Sequence, residues 1–108
     1  NLPIRKVAAY EADDVARRII SEAGYGDYFI HRVGHNIAAD VSPHGPGANL
    51  DDYETKDERC LLDQTSFSDE PGIYAPDFGV RTETDLFNDN GVLLVVGGLQ
   101  DEVVPLLK

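Results

Sequence analysis

Apolar side chains recur at three- and four-residue steps near the start of the chain. Val7, Val15, Ile19 and Ala23, with Ala8, Ala16 and Ile20, fall on one stripe, which predicts an amphipathic helix over residues 4–23. Gly24 is placed to end it, because a left-handed conformation carries no Cβ penalty at glycine. Asp13 and Asp14 would point about 100° apart on such a helix, so they read as a solvated face rather than a metal pair. Residues 27–35, Asp-Tyr-Phe-Ile-His-Arg-Val-Gly-His, predict a short strand or extended segment. Alternation along it puts His31, Val33 and His35 on one side, within reach of one site. Residues 42–51 hold most of the chain's turn formers and predict a long loop.

After that loop the period changes to two. Residues 65–69 and 79–87 are the predicted strands, joined by residues 71–78. Asn88-Asp89-Asn90-Gly91 is a hairpin turn, and 92–96 is a final apolar strand. On this pattern Arg81, Glu83 and Asp85 share one face of their strand, as do Ser66, Ser68 and Glu70 on theirs. A helix followed by antiparallel strands predicts the α+β class, with residues 1–108 forming part of one domain.

Charge narrows the functional classes. The chain carries 20 Asp+Glu against 9 Lys+Arg, a net of −11, which argues against nucleic-acid and anionic-membrane partners. Its carboxylates serve solubility first. The single cysteine, Cys60, forms no intramolecular disulfide, which favours a reduced, cytoplasmic setting; flanked by Arg59 and two leucines, it reads as structural rather than catalytic. The apolar run 92–96 is too short to span a bilayer, and no charged-then-apolar leader opens the sequence. The absence of methionine and the start at Asn1, inside a continuing pattern, predict a piece of a longer protein.

Three blocks carry the chemistry: His31-Arg32-Val33-Gly34-His35, then Glu70-Pro71-Gly72-Ile73-Tyr74, then Gly79-Val80-Arg81-Thr82-Glu83. One imidazole and two carboxylates suit Mn, Co, Fe or Zn, since neutral imidazole nitrogen and hard carboxylate oxygen both ligate these ions. If the strands are neighbours, Glu70 and Glu83 converge beside His35. Two buried carboxylates are costly unless paired or metal-bound.

In this order the blocks resemble the C-terminal half of the pita-bread metallopeptidases, which include Xaa-Pro aminopeptidases, prolidases, creatinases and methionine aminopeptidases. The resemblance covers nearly the whole chain and is nearest to the Xaa-Pro dipeptidase and aminopeptidase P type. It implies an exopeptidase using two divalent metals, Mn foremost with Co, Zn or Fe as alternatives, and a peptide substrate with proline after the scissile bond. It also implies His35, Glu70 and Glu83 as metal ligands, with Glu70 moving a proton and His31 lining the substrate site. His44 and Arg81 would stabilise the developing oxyanion. The run from His44 through Gly45-Pro46-Gly47-Ala48-Asn49 carries the match to the family's second catalytic histidine, although that histidine's usual position is occupied here by Ser42.

Two further aspartate ligands precede this region in the family. The expected partner is therefore the missing N-terminal half of the domain, with at most one metal held by these residues alone; a homodimer is also compatible with the resemblance. Ala38 stands where glycine is usual, Asp63-Gln64 replaces Pro-Gly, and Asp69 sits where an apolar residue is expected. These departures favour the rival expectation, a non-catalytic peptide- or protein-binding module of the same fold.

Overall fold

The computed structural model describes residues 7–39 and 42–106. Helix α1 runs over Ala9–Glu22, and the predicted start at residues 4–6 lies outside the described residues. At its N-terminus the Glu11 carboxylate reaches back to accept the Ala8 amide at 2.8 Å, satisfying a backbone donor that has no partner within the helix. Gly24, at φ 93°, ends it as predicted. Ala9, Ala12, Ala16 and Ile20 pack toward the core, whereas Ile19 is 58% exposed, so part of the apolar stripe lies uncovered.

Among the described residues six strands follow: β1 (Asn36–Ile37), β2 (Thr65–Asp69), β3 (Gly72–Ala75), β4 (Phe78–Arg81), β5 (Thr84–Asp89) and β6 (Val92–Val96). Strands β1, β2, β5 and β6 form an antiparallel sheet in the order β1-β2-β5-β6, and β3 and β4 form a separate two-stranded hairpin. The architecture is α+β, one helix against antiparallel sheet. The core gathers Phe29, Val33, Ala48, Leu50 and Phe67 beneath α1. No helix among the described residues is long and apolar enough to cross a membrane.

Two predicted elements are redrawn. The single strand expected over residues 79–87 is two strands in different sheets: residues 78–81 pair with β3, and residues 84–88 pair with β2. The break at Thr82-Glu83 means that Arg81, Glu83 and Asp85 do not lie on one continuous face. The segment 27–35 is not a regular strand either. A 3₁₀ turn occupies Gly26–Tyr28, and Val33 enters the core while His31 and His35 face a cavity on the other side. The hairpin after β5 is as expected: Asn90 (φ 49°) and Gly91 (φ 101°) both take left-handed conformations, and Asp89 pairs with Val92.

Candidate metal and peptide site

Segment 33–37 lies antiparallel to β2 and carries the register of β1 outward. Asn36 opposes Phe67; beyond it the His35 carbonyl accepts the Ser68 amide at 2.9 Å, and the Val33 carbonyl accepts the Glu70 amide at 2.6 Å. The His35 amide in turn donates to the buried Ser68 Oγ at 3.0 Å. Gly34 is needed between them, since a Cβ there would lie 1.9 Å from the Ser68 carbonyl oxygen. This ladder brings together His35 and Glu70, which are 35 residues apart in sequence.

His35 Nε2 stands 3.3 Å from Glu70 Oε2. The other ring nitrogen, Nδ1, lies 2.8 Å from the Asn36 carbonyl. A carbonyl only accepts, so Nδ1 donates to it, and in the neutral tautomer that this contact selects Nε2 turns a lone pair toward the carboxylate oxygen. Two electron-pair donors at that separation repel unless a proton or a metal cation lies between them. A backbone acceptor fixing the distal ring nitrogen is the usual outer partner of a metal-bound imidazole. The donor chemistry of this pair therefore fits a divalent ion of the Mn, Co, Fe or Zn kind.

His31, Arg32, Gly34, His35, His44, Glu54, Glu70 and Arg81 line a cavity of about 290 Å³. His44 stacks on His35, with ring centroids 4.0 Å apart and planes tilted by 32°. Ser42 is outside the lining, and its Oγ accepts the His44 amide at 3.3 Å. His31 is pinned at both nitrogens: Nδ1 is 2.6 Å from the Arg32 carbonyl and Nε2 is 2.8 Å from the Tyr74 hydroxyl. The first contact selects the tautomer protonated at Nδ1, in which Nε2 accepts from the Tyr74 hydroxyl. Arg32 reaches Glu54 at 3.9 Å across the rim.

Five of the six residues singled out from the sequence, His31, His35, His44, Glu70 and Arg81, thus share one cavity. The sixth, Glu83, is exposed in the link between β4 and β5 and is not in the lining. Among the described residues no three His, Cys, Asp or Glu side chains gather closely enough to hold a metal by themselves.

Three carboxylates near this region behave differently from one another. Asp13 is not on a solvated face as expected: it is fully buried and paired with Arg17, one helical turn on, at 3.0 Å. The Asp-to-Arg spacing of four residues on a predicted helix was the available signal. Asp57, which accepts from Arg59 and from the Asn49 amide, is held down to about 2 chiefly by the Arg59 hydrogen bond. Asp69 is pushed above the usual carboxylate range by burial. It lines an apolar groove of about 560 Å³ between α1 and the sheet, beside Ala16, Ile20, Leu86 and Leu93.

The sequence profile of metallopeptidase family M24 matches residues 4–88. An Xaa-Pro dipeptidase of Lactobacillus delbrueckii subsp. lactis is 48% identical over 88 residues, covering 81% of this chain and 21% of the relative. One from Pyrococcus furiosus is 41% identical over 87 residues, covering 79% and 23%. Among solved structures, the P. furiosus prolidase superposes with a TM-score of 0.77 at 34% identity, covering 92% of this chain and 27% of that one. A dipeptidase from Pyrococcus horikoshii gives 0.75 at 38% identity, covering 92% and 26%. The chain spans about a fifth to a quarter of the length of these relatives.

Proposed function

Because the chain belongs to metallopeptidase family M24, we propose that it contributes one half of the catalytic site of an exopeptidase of the Xaa-Pro dipeptidase type. The observation that carries this reading is the His35–Glu70 pair, with Nδ1 held by the Asn36 carbonyl and Nε2 3.3 Å from Glu70 Oε2. His35 and Glu70 would hold a divalent ion, and Glu83, two residues beyond the cavity-lining Arg81, would join them as the third ligand. Such an ion, when bound, supplies Lewis acidity and lowers the pKa of water.

The chain's own residues take the remaining roles. Glu70, half-buried at the head of the Pro71-Gly72 turn, holds and returns the proton taken from the attacking water. His44, stacked on His35 and open to solvent on its other face, donates to the oxyanion that develops on the scissile carbonyl. Arg81 supplies a fixed positive charge to the same cavity. His31 keeps its ring edge at the substrate side through the Tyr74 and Arg32 contacts. The substrate is a short peptide with proline after the scissile bond, by analogy with the relatives' names.

One ion needs three protein ligands to compete with solvent, and a second would have only Glu83 here. The remaining ligands are therefore proposed to come from polypeptide outside these 108 residues, in keeping with the fraction of the relatives that the chain spans. Calorimetry with Mn and an Xaa-Pro dipeptide assay on the 108-residue chain test this. The expected result is at most one weak site and no turnover. Two tight sites, or turnover free of contaminating peptidase, would contradict the ligand assignment. A peptide- or protein-binding module of the same fold is the second reading, favoured by the position of Glu83 outside the cavity.

A further inference from the structure

Residues 29–33 enter the site without strand neighbours, so the partners of their backbone groups have to be found elsewhere. One edge of this segment is received by two side chains of α1. Arg17 donates from Nη1 to the Phe29 carbonyl at 2.9 Å and from Nη2 to the His31 carbonyl at 2.9 Å. Asp13 Oδ1 accepts the Val33 amide at 2.7 Å. The two side chains are joined to each other through Arg17 Nε to Asp13 Oδ2 at 3.0 Å and Nη2 to Oδ1 at 3.2 Å. The guanidinium is also flanked by aromatic faces, 4.2 Å from the centroid of Phe29 and 4.8 Å from that of Tyr53.

We propose that Asp13 and Arg17 are positioning residues for the histidine block. Their ion pair substitutes for a β-ladder along residues 29–33 and sets where His31 and His35 stand in the cavity. The forked guanidinium is what makes this work: it spans two carbonyls and a carboxylate at once, which a lysine ammonium on a flexible stem cannot match. From Val33 onward β2 takes over, through the Val33 carbonyl and the Glu70 amide. His31 is then held by α1 at its carbonyl and by Tyr74 of β3 at its ring. The consequence for metal binding rests on the function proposed above; the grip on the segment does not.

The test is Arg17→Lys in the 108-residue chain, with ¹³C/¹⁵N NMR and Mn calorimetry. Lysine keeps the charge beside Asp13 but gives up the fork. The expected result is that β5 and β6 signals stay in place while the carbonyl resonances of Phe29 and His31 move. Mn affinity should fall roughly 10- to 100-fold, the usual cost of losing an outer support of a metal ligand. Shifted carbonyls in a chain whose unaltered form binds no Mn would uphold the clamp and remove the metal reading instead. Unmoved carbonyls, or shifted carbonyls with Mn affinity retained, would overturn the positioning role. If Arg17→Lys does not fold, hydrogen exchange on the unaltered chain decides. The Val33 amide must then exchange as slowly as those inside α1, and exchange at the rate of open-loop amides overturns the proposal.

Discussion

On the β1 side of the sheet, a charged pair with one member fully enclosed has its polar atoms met: Asp13 is buried, Arg17 is half-buried, and both serve backbone groups of the segment that carries His31 and His35. On the β6 side the reverse holds. Val92, Leu94, Val95 and Val96 are each more than two-fifths exposed, and Leu99 and Val103 beyond them are more exposed still. Polar groups are thus enclosed where the candidate site lies, and apolar groups are open where it does not. The two sides should therefore respond differently to mutation: removing Arg17 leaves the enclosed Asp13 charge uncompensated, whereas an exposed apolar side chain has little burial to lose.

The largest expected effect separates the two sides directly. Arg17→Met should cost about 3–5 kcal/mol by leaving Asp13 buried and unpaired, while Val96→Thr on β6 should change stability by less than about 0.5 kcal/mol. Urea unfolding of both variants measures this, and comparable losses would erase the distinction. Next, Gly34→Ala should cost about 1–3 kcal/mol through overpacking against the Ser68 carbonyl. Because that contact spaces His35 from β2, the variant should also weaken Mn binding, which calorimetry would show.

Two smaller effects sharpen the picture outside the site. Gln64 holds φ 59° where the resemblance expects glycine. A side chain in that conformation costs about 1–2 kcal/mol, and glycine's extra freedom in the unfolded chain returns about half of it. Gln64→Gly should therefore stabilise by about 0.5 kcal/mol in the same urea measurement.

Asp14, exposed on α1, is raised to about 6 by desolvation first and then by Asp52 and Asp13 beside it. Its folded pKa lies above its unfolded one, so the folded state binds the proton more tightly. Stability from this group is present below the unfolded value of 3.8 and is lost as pH rises through about 6. Asp14→Asn should thus gain up to about 0.5 kcal/mol at pH 7.5, after allowance for solvent screening, and almost nothing at pH 4. Equal gains at both pH values would exclude the carboxylate pair as the cause.

The parts of this fold that were legible in the sequence are those with a period or a turn signature of their own. Helix α1, β2, β6 and the Asn90-Gly91 turn each carry such a signal within a few residues. The split of 79–87 into β4 and β5 carries none, because alternation marks an extended backbone without saying which strand it pairs with. The course of residues 29–35 was hidden for a related reason. Its backbone partners are side chains of α1 and atoms of β2, far away in sequence, so no local pattern reports that Val33 turns into the core while its neighbours face the cavity. The role of Asp13 was masked by adjacent Asp14, although the two differ in kind: one is enclosed with Arg17 and the other lies on the surface near Asp52. Block order suggested that His35 and Glu70 lie together, and the register of β1 on β2, which sets His35 opposite Ser68, brings their side chains to 3.3 Å.

His35 Nε2 and the Glu70 carboxylate are proposed to face one divalent ion. Paramagnetic broadening by substoichiometric Mn in the NMR spectrum of the 108-residue chain tests it most directly. Signals of His35 and Glu70, with their neighbours His44 and Ser68, should broaden first, and those of Asp14, Asp52 and β6 should keep their width. Broadening centred on the Asp14 and Asp52 surface, or spread evenly over the acidic chain, would contradict it.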